Sequence, residues 1–227
     1  MNRSFEELVS LCYRFYPRGM WDYDPAYKNT AEHRRLIAAR LEAWARIEER
    51  WRPLLRLLAE RIPESHPEDR SMYLSSGGYD ACYCARIVLP PAGSSGGRRV
   101  LEFCVSILAP YYVILAQRWS GAKEQTASEP DASIEADDES GGDTFVMTPE
   151  MELASTAEED DERYEQSFEL NAEEEAYAHA IEAEIEAAFP GYEPLPPEVG
   201  NRIVPEAMAG SAIGETKLYH CLFQTTL

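Results

Sequence analysis

The sequence is short of positive charge. Its 227 residues carry 21 lysines and arginines against 41 aspartates and glutamates, a formal charge of −20. A molecule of that sign repels phosphates at long range, which disfavours direct nucleic-acid binding and favours a basic protein partner. Long apolar runs are missing too. The longest, Ile107 to Gln117, is interrupted by Pro110 and falls short of the ~18 residues that cross a bilayer, so no membrane association is expected. The N-terminal stretch MNRSFEELVSLCYRFYPRG breaks its apolar residues with Glu and Tyr and offers no small-residue cleavage site. A secretion signal is therefore not expected.

Several chemical signatures are absent. Neither G-x-x-x-x-G-K-[ST] nor G-x-G-x-x-G occurs, and the glycine-rich SSGGY and AGSSGGRR adjoin strand candidates rather than helix starts. They read as hairpin loops, leaving nucleotide binding without a motif. There is no G-x-S-x-G elbow, no caspase- or papain-like cysteine signature, and no EF-hand loop. No cofactor and no internal repeat are expected.

What is present is a core and a localised block of acid. Apolar residues make up 44% of the chain, enough to exclude disorder throughout. Residues 1–120 carry 17 basic and 14 acidic side chains, whereas residues 121–190 carry 2 and 23. The stretch 120–165 is small, polar and acidic, with few apolar side chains to offset chain entropy. It reads as a mobile acidic insertion, with a short strand possible at Thr144–Met147, in a single domain spanning 1–227.

Helix signals come first. Ser4 with Glu7 forms a capping box, followed by Leu8, Leu11, Cys12 and Phe15 at helical spacing and stopped by Pro17 and Gly19. Asn29 with Glu32 repeats the capping pattern. The amphipathic stretch to Ile62 then predicts a long helix to about Trp51, with a kink or second helix near Pro53. From Ser71 the period falls to two. Ser71–Ser76 reads as a short strand, Gly77-Gly78 as a hairpin turn, Tyr79–Leu89 as a strand, and Val100–Ala109 and Tyr111–Trp119, separated by Pro110, as two strands or one bent strand. Their near-continuous apolar character places them at a sheet centre covered by helices on at least one face. Asn171 with Glu174 caps a helix ending before Pro190, PLPPEVGNRIVPEAMAG reads mostly as loop, and Thr216–Gln224 as a closing strand. Grouped helices and hairpin-linked strands predict an α+β fold with a mainly antiparallel sheet of four to six strands.

Candidate chemistry is sparse. Cys12, Cys82, Cys84, Cys104 and Cys221 are odd in number, which suits reduced, buried thiols in a cytoplasmic protein. Cys82 and Cys84 share a strand face, with Cys104 on a neighbour, so thiolates could meet. Yet C-x-C on a strand lacks the knuckle spacing of structural zinc, and His220 and Cys221 face opposite sides of the predicted closing strand, so no metal is expected. An enzyme would need Cys82, Cys84, His220 or Tyr83 to converge in a pocket between sheet and helices. Surface recognition is better furnished. The loop MWDYDPAY carries Trp21, Asp22, Tyr23 and Asp24, aromatics and acids of the kind that anchor interfaces. The run Glu158, Glu159, Asp160, Asp161 and Glu162 adds electrostatic steering. The bland alternative is that Trp21 and Tyr27 fold back on the long helix.

FYPRG (15–19) and YKNTAEHRRL (27–36), the block SMYLSSGGYDACYCARIVLP (71–90) and the ending GETKLYHCLF (214–223) are similar to bacterial immunity proteins of polymorphic toxin systems. The likeness spans residues 5–120 and 167–225, and the acidic segment departs from it. It implies a small α+β protein, not an enzyme, that binds a cognate toxin and occludes its active site. A basic toxin would suit the charge. A nucleic-acid mimic, with the acids of 130–165 at phosphate-like spacing, is a further expectation from the same charge.

Overall fold

The structure is a computed structural model that describes residues 3–63, 66–74, 80–90, 98–120 and 163–223. The predicted turn at Gly77-Gly78, the strand at Thr144–Met147 and the insertion up to residue 162 lie outside them. The chain is α+β. In order it forms α1 (Phe5–Cys12), α2 (Ala31–Ala45), α3 (Ile47–Arg61), β1 (Glu68–Asp69), β2 (Cys82–Val88), β3 (Arg99–Ser106), β4 (Tyr111–Ser120), β5 (Arg163–Ser167), α4 (Ala172–Ala188), β6 (Glu193–Pro194), α5 (Pro197–Gly200) and α6 (Leu218–Phe223). Among the described residues, no helix is long and apolar enough to cross a membrane.

Strands β1 to β5 pair antiparallel in sequence order, and β6 joins β4 in parallel through Tyr111↔Glu193 and Tyr112↔Pro194. The register sets Cys84 opposite Cys104 and Arg86 opposite Glu102. Because side chains alternate along a strand, Tyr83, Ala85, Ile87, Leu101, Phe103, Val105, Tyr112 and Ala116 fill one face, against α3 and α4. Cys82, Cys84, Cys104, Tyr111, Val113 and Leu115 fill the other, against α1, α6 and the chain from Leu195 to Ala209. Helices thus cover both faces, which is why these strands read as unbroken apolar runs.

Trp51 fastens α3 to this sheet. It is fully buried, stacks on Tyr83 with ring centroids 5.4 Å apart, tilts against Phe103 at 5.6 Å, and its indole N–H donates to Asp69 Oδ1 at 3.0 Å. Helix α4 is fastened by charge. Its capping box is present, with Glu173 and Glu174 N–H donating to Asn171 Oδ1 at 3.0 Å. Glu174, itself fully buried, accepts from Asn171 N–H at 2.9 Å and from Arg118 Nε at 3.0 Å. Burial works against ionisation of this carboxylate, but the Arg118 guanidinium and the Asn171 N–H outweigh it and hold it below the usual range.

Several elements differ from the sequence reading. The cap of α2 is Thr30, whose Oγ1 accepts from His33 N–H at 3.2 Å, rather than Asn29. Tyr27–Asn29 coil into a 3-10 turn and take Asn29 with them. The break between the long helices falls at Arg46, and Pro53 lies inside α3. A single missing backbone donor there is outweighed by the burial of Trp51, Leu54 and Leu58 around it. Ser71–Leu74 is a 3-10 turn rather than a strand, because Asp69 Oδ1 accepts Ser71 N–H at 2.9 Å and bends the chain. The predicted closing strand Thr216–Gln224 is helical from Leu218 to Phe223. There Leu218, Tyr219, Cys221, Leu222 and Phe223 are all buried, and a run that is apolar on every side has no period to read. The region read as mostly loop also holds β6 and α5, and β5 begins at Arg163, within the stretch read as insertion.

Two stability outcomes follow. Trp51→Ala lowers the unfolding free energy by about 3–5 kcal/mol in urea titrations, whereas Trp21→Ala, at a surface position, changes it by under about 0.5 kcal/mol. Arg118→Ala strands a buried carboxylate and costs about 3 kcal/mol at pH 7. Since the Glu174 pKa is depressed on folding, its contribution is present above the unfolded carboxylate value and is lost as pH falls through the lower folded value. The Arg118→Ala penalty therefore shrinks as the titration is repeated at progressively lower pH.

Candidate functional site

The segment between α1 and α2 is held from below. Gly19, at φ 63, turns the chain and donates its N–H to Glu206 O at 2.7 Å. Asp22 N–H donates to Met208 Sδ at 3.2 Å, and Tyr13 OH donates to Pro205 O. Asp24 N–H donates to Trp21 O at 3.0 Å, Tyr27 N–H to Asp24 O at 2.9 Å, and Ala26 N–H to Asp24 Oδ1 at 2.8 Å. On this anchored turn Trp21 and Tyr23 stack on each other, centroids 5.5 Å apart and planes 22° from parallel. They stand 38% and 74% exposed.

Of the sequence-predicted residues, then, Trp21 and Tyr23 are displayed together and Asp22 and Asp24 flank them, half-buried. Asp24 is in part a turn-former. Tyr27 does fold inward and is buried; Trp21 does not. Glu158, Glu159, Asp160, Asp161 and Glu162 lie outside the described residues. The sequence reading missed Glu206, at φ 59 the one non-glycine residue in left-handed conformation among the described residues. Backbone held in that region marks a shape imposed by its surroundings, here the loop that grips Gly19.

The candidate catalytic groups do not converge. Tyr83 lies on the α3–α4 face, where its hydroxyl donates to Ala43 O at 2.7 Å and burial pushes its pKa up to about 12. Cys82 and Cys84 lie on the opposite face. His220 Nδ1 accepts Lys217 N–H at 3.2 Å and pairs with Ser211 Oγ at 2.8 Å, so it caps the start of α6. A small cavity of about 140 Å³ opens where α2 meets α3, lined by Ala43, Arg46, Arg50, Tyr83, Phe189 and Tyr192; it holds neither cysteine nor histidine.

All five cysteines are buried and free. Cys221 sits with Cys12, away from the strand thiols, and burial raises its pKa. On the sheet, Cys104 S–H donates to Cys84 Sγ at 3.3 Å, and Cys82 S–H donates to Phe223 O at 3.1 Å. Burial pushes Cys82 and Cys104 up. Cys84 is driven down, first because the Cys104 thiol donates to its sulfur, with Arg86 and Arg70 nearby. A carboxylate shares this pocket of sulfur. Glu102, 1% exposed, accepts from Arg86 Nε and from Gln117 Nε2 at 3.1 Å, and burial raises its pKa to about 7. The sequence reading passed over Glu102. Its signal was a lone acid in the apolar run VLEFCVSIL.

No protein-family model, curated protein or solved structure matches the chain.

Thiol chemistry checks this geometry. In reduced, chelator-treated protein, a thiol-titrating disulfide reagent finds no reactive cysteine under native conditions and five in denaturant. A thiol that reacts in the native state would contradict the burial of these side chains.

Proposed function

We propose that the protein is an immunity or inhibitor protein, which binds a basic cognate toxin in the cytoplasm and occludes its active site without chemistry of its own. The observation that carries this reading is the stacked Trp21–Tyr23 pair, exposed and flanked by Asp22 and Asp24. Large aromatics held in place lose little entropy on binding, and their burial at the centre of an interface supplies most of the affinity. The carboxylates and the net charge of −20 accelerate encounter with a basic surface. The separation of Tyr83, His220 and the strand thiols favours this reading over the small enzyme.

The test is co-expression with the product of the neighbouring reading frame, scored by host growth and by affinity of the purified pair. Trp21→Ala and Tyr23→Ala are each expected to cost about 2 kcal/mol of binding, roughly 30-fold in Kd, with thermal stability unchanged. Asp22→Lys with Asp24→Asn slows association more than it speeds dissociation. Full protection by a Trp21→Ala/Tyr23→Ala variant would place the interface elsewhere, and a neighbour that is harmless on its own would remove the immunity reading.

A further inference from the structure

Among the described residues, Cys84, Glu102 and Cys104 form the one group whose donor atoms, two sulfurs and a carboxylate oxygen, lie within 4.8 Å of one another. Core filling explains buried thiols. It does not explain a buried carboxylate aimed at the same point, in a strand where every residue from Val100 to Ser106 is withdrawn from water.

We propose that Cys84, Cys104 and Glu102 bind one divalent ion of the zinc class as its three protein ligands, with a solvent molecule completing the tetrahedron. The two sulfurs, 3.3 Å apart, are near the ~3.8 Å edge of a tetrahedron drawn with zinc–sulfur bonds of about 2.3 Å. Thiolate donors select zinc over the hard cations magnesium and calcium. Arg86 and Gln117 hold the Glu102 carboxylate in place through Oε2, as outer partners of metal ligands do. Charge balances. Arg86 neutralises Glu102 with or without the ion, and the two charges of the ion replace the two thiol protons, which leave to solvent as two metal–sulfur bonds and one metal–oxygen bond form. No oxidant or reductant is needed. The ion would tie β2 to β3, where Cys84 lies opposite Cys104.

The probe is Co²⁺, titrated into reduced, chelator-stripped full-length protein. The expected result is saturation at one equivalent, with a near-ultraviolet sulfur-to-cobalt charge-transfer band and intense visible bands of a tetrahedral ion, all abolished by one equivalent of Zn²⁺. Cys84→Ser/Cys104→Ser loses the charge-transfer band, Cys12→Ser keeps it, and Gln117→Leu weakens binding by about 10–100-fold. Independently of any variant's folding, Zn²⁺ raises the thermal midpoint of the wild-type protein and chelator reverses the shift. Absence of both the band and the shift in the wild type overturns the site. So does an undiminished band in the double cysteine variant, or a Cys84–Cys104 disulfide in protein purified anaerobically under reductant.

Discussion

Strand β3 has water on neither face, and the arrangement of the molecule follows from that constraint. Seven consecutive side chains, Val100 to Ser106, are buried, so each polar atom among them needs a partner within the protein. Ser106 Oγ donates to Leu222 O at 2.8 Å and accepts Leu108 N–H at 3.2 Å. Glu102 draws in Arg86 and Gln117 from the strands on either side. Meeting these demands fixes α6 over one face and aligns three strands, while Phe103 supplies the other face with the ring against which Trp51 leans.

That framework reaches the exposed aromatic turn through a short series of contacts. Tyr16 OH donates to Cys221 O at 2.9 Å, joining the turn that follows α1 to α6. Val204 N–H donates to Thr216 O at 2.8 Å, and Thr216 Oγ1 donates to Ser211 O at 3.2 Å. The chain from Val204 to Met208 is thereby set against the core, and it is this chain that grips Gly19 and Asp22. The shape of the interior is handed to the exterior through backbone contacts rather than through a shared pocket.

Much of the fold was legible because its signals are local. The capping boxes at Ser4/Glu7 and Asn171/Glu174 are both formed, and the strands of the central sheet lie close to where period-two patterning put them. What failed depended on partners distant in sequence. Leu218–Phe223 is apolar at all but one position and carries no period, and the surroundings that bury it on every side make it a helix. Asp69 bends the chain at Ser71, and Pro53 is tolerated because Trp51 and Leu54 are needed where they are. Composition left Trp21 either displayed or folded back on the long helix, and Glu206 and Met208, which hold that turn, lie over 180 residues away. Glu102 looked like an interruption until the register set Arg86 opposite it.

The margin of the sheet beside β2 is closed in an economical way. Strand β1 contributes two residues, and then Ser71 takes over with its side chain: Cys84 N–H donates to Ser71 Oγ at 3.0 Å, Ser71 Oγ donates to Cys84 O at 3.2 Å, and Arg70 N–H donates to the same carbonyl at 2.8 Å. A hydroxyl thereby occupies the backbone groups that would otherwise recruit a strand from another chain. This closes the border against polymerisation with one serine, where a longer border strand would have extended the template.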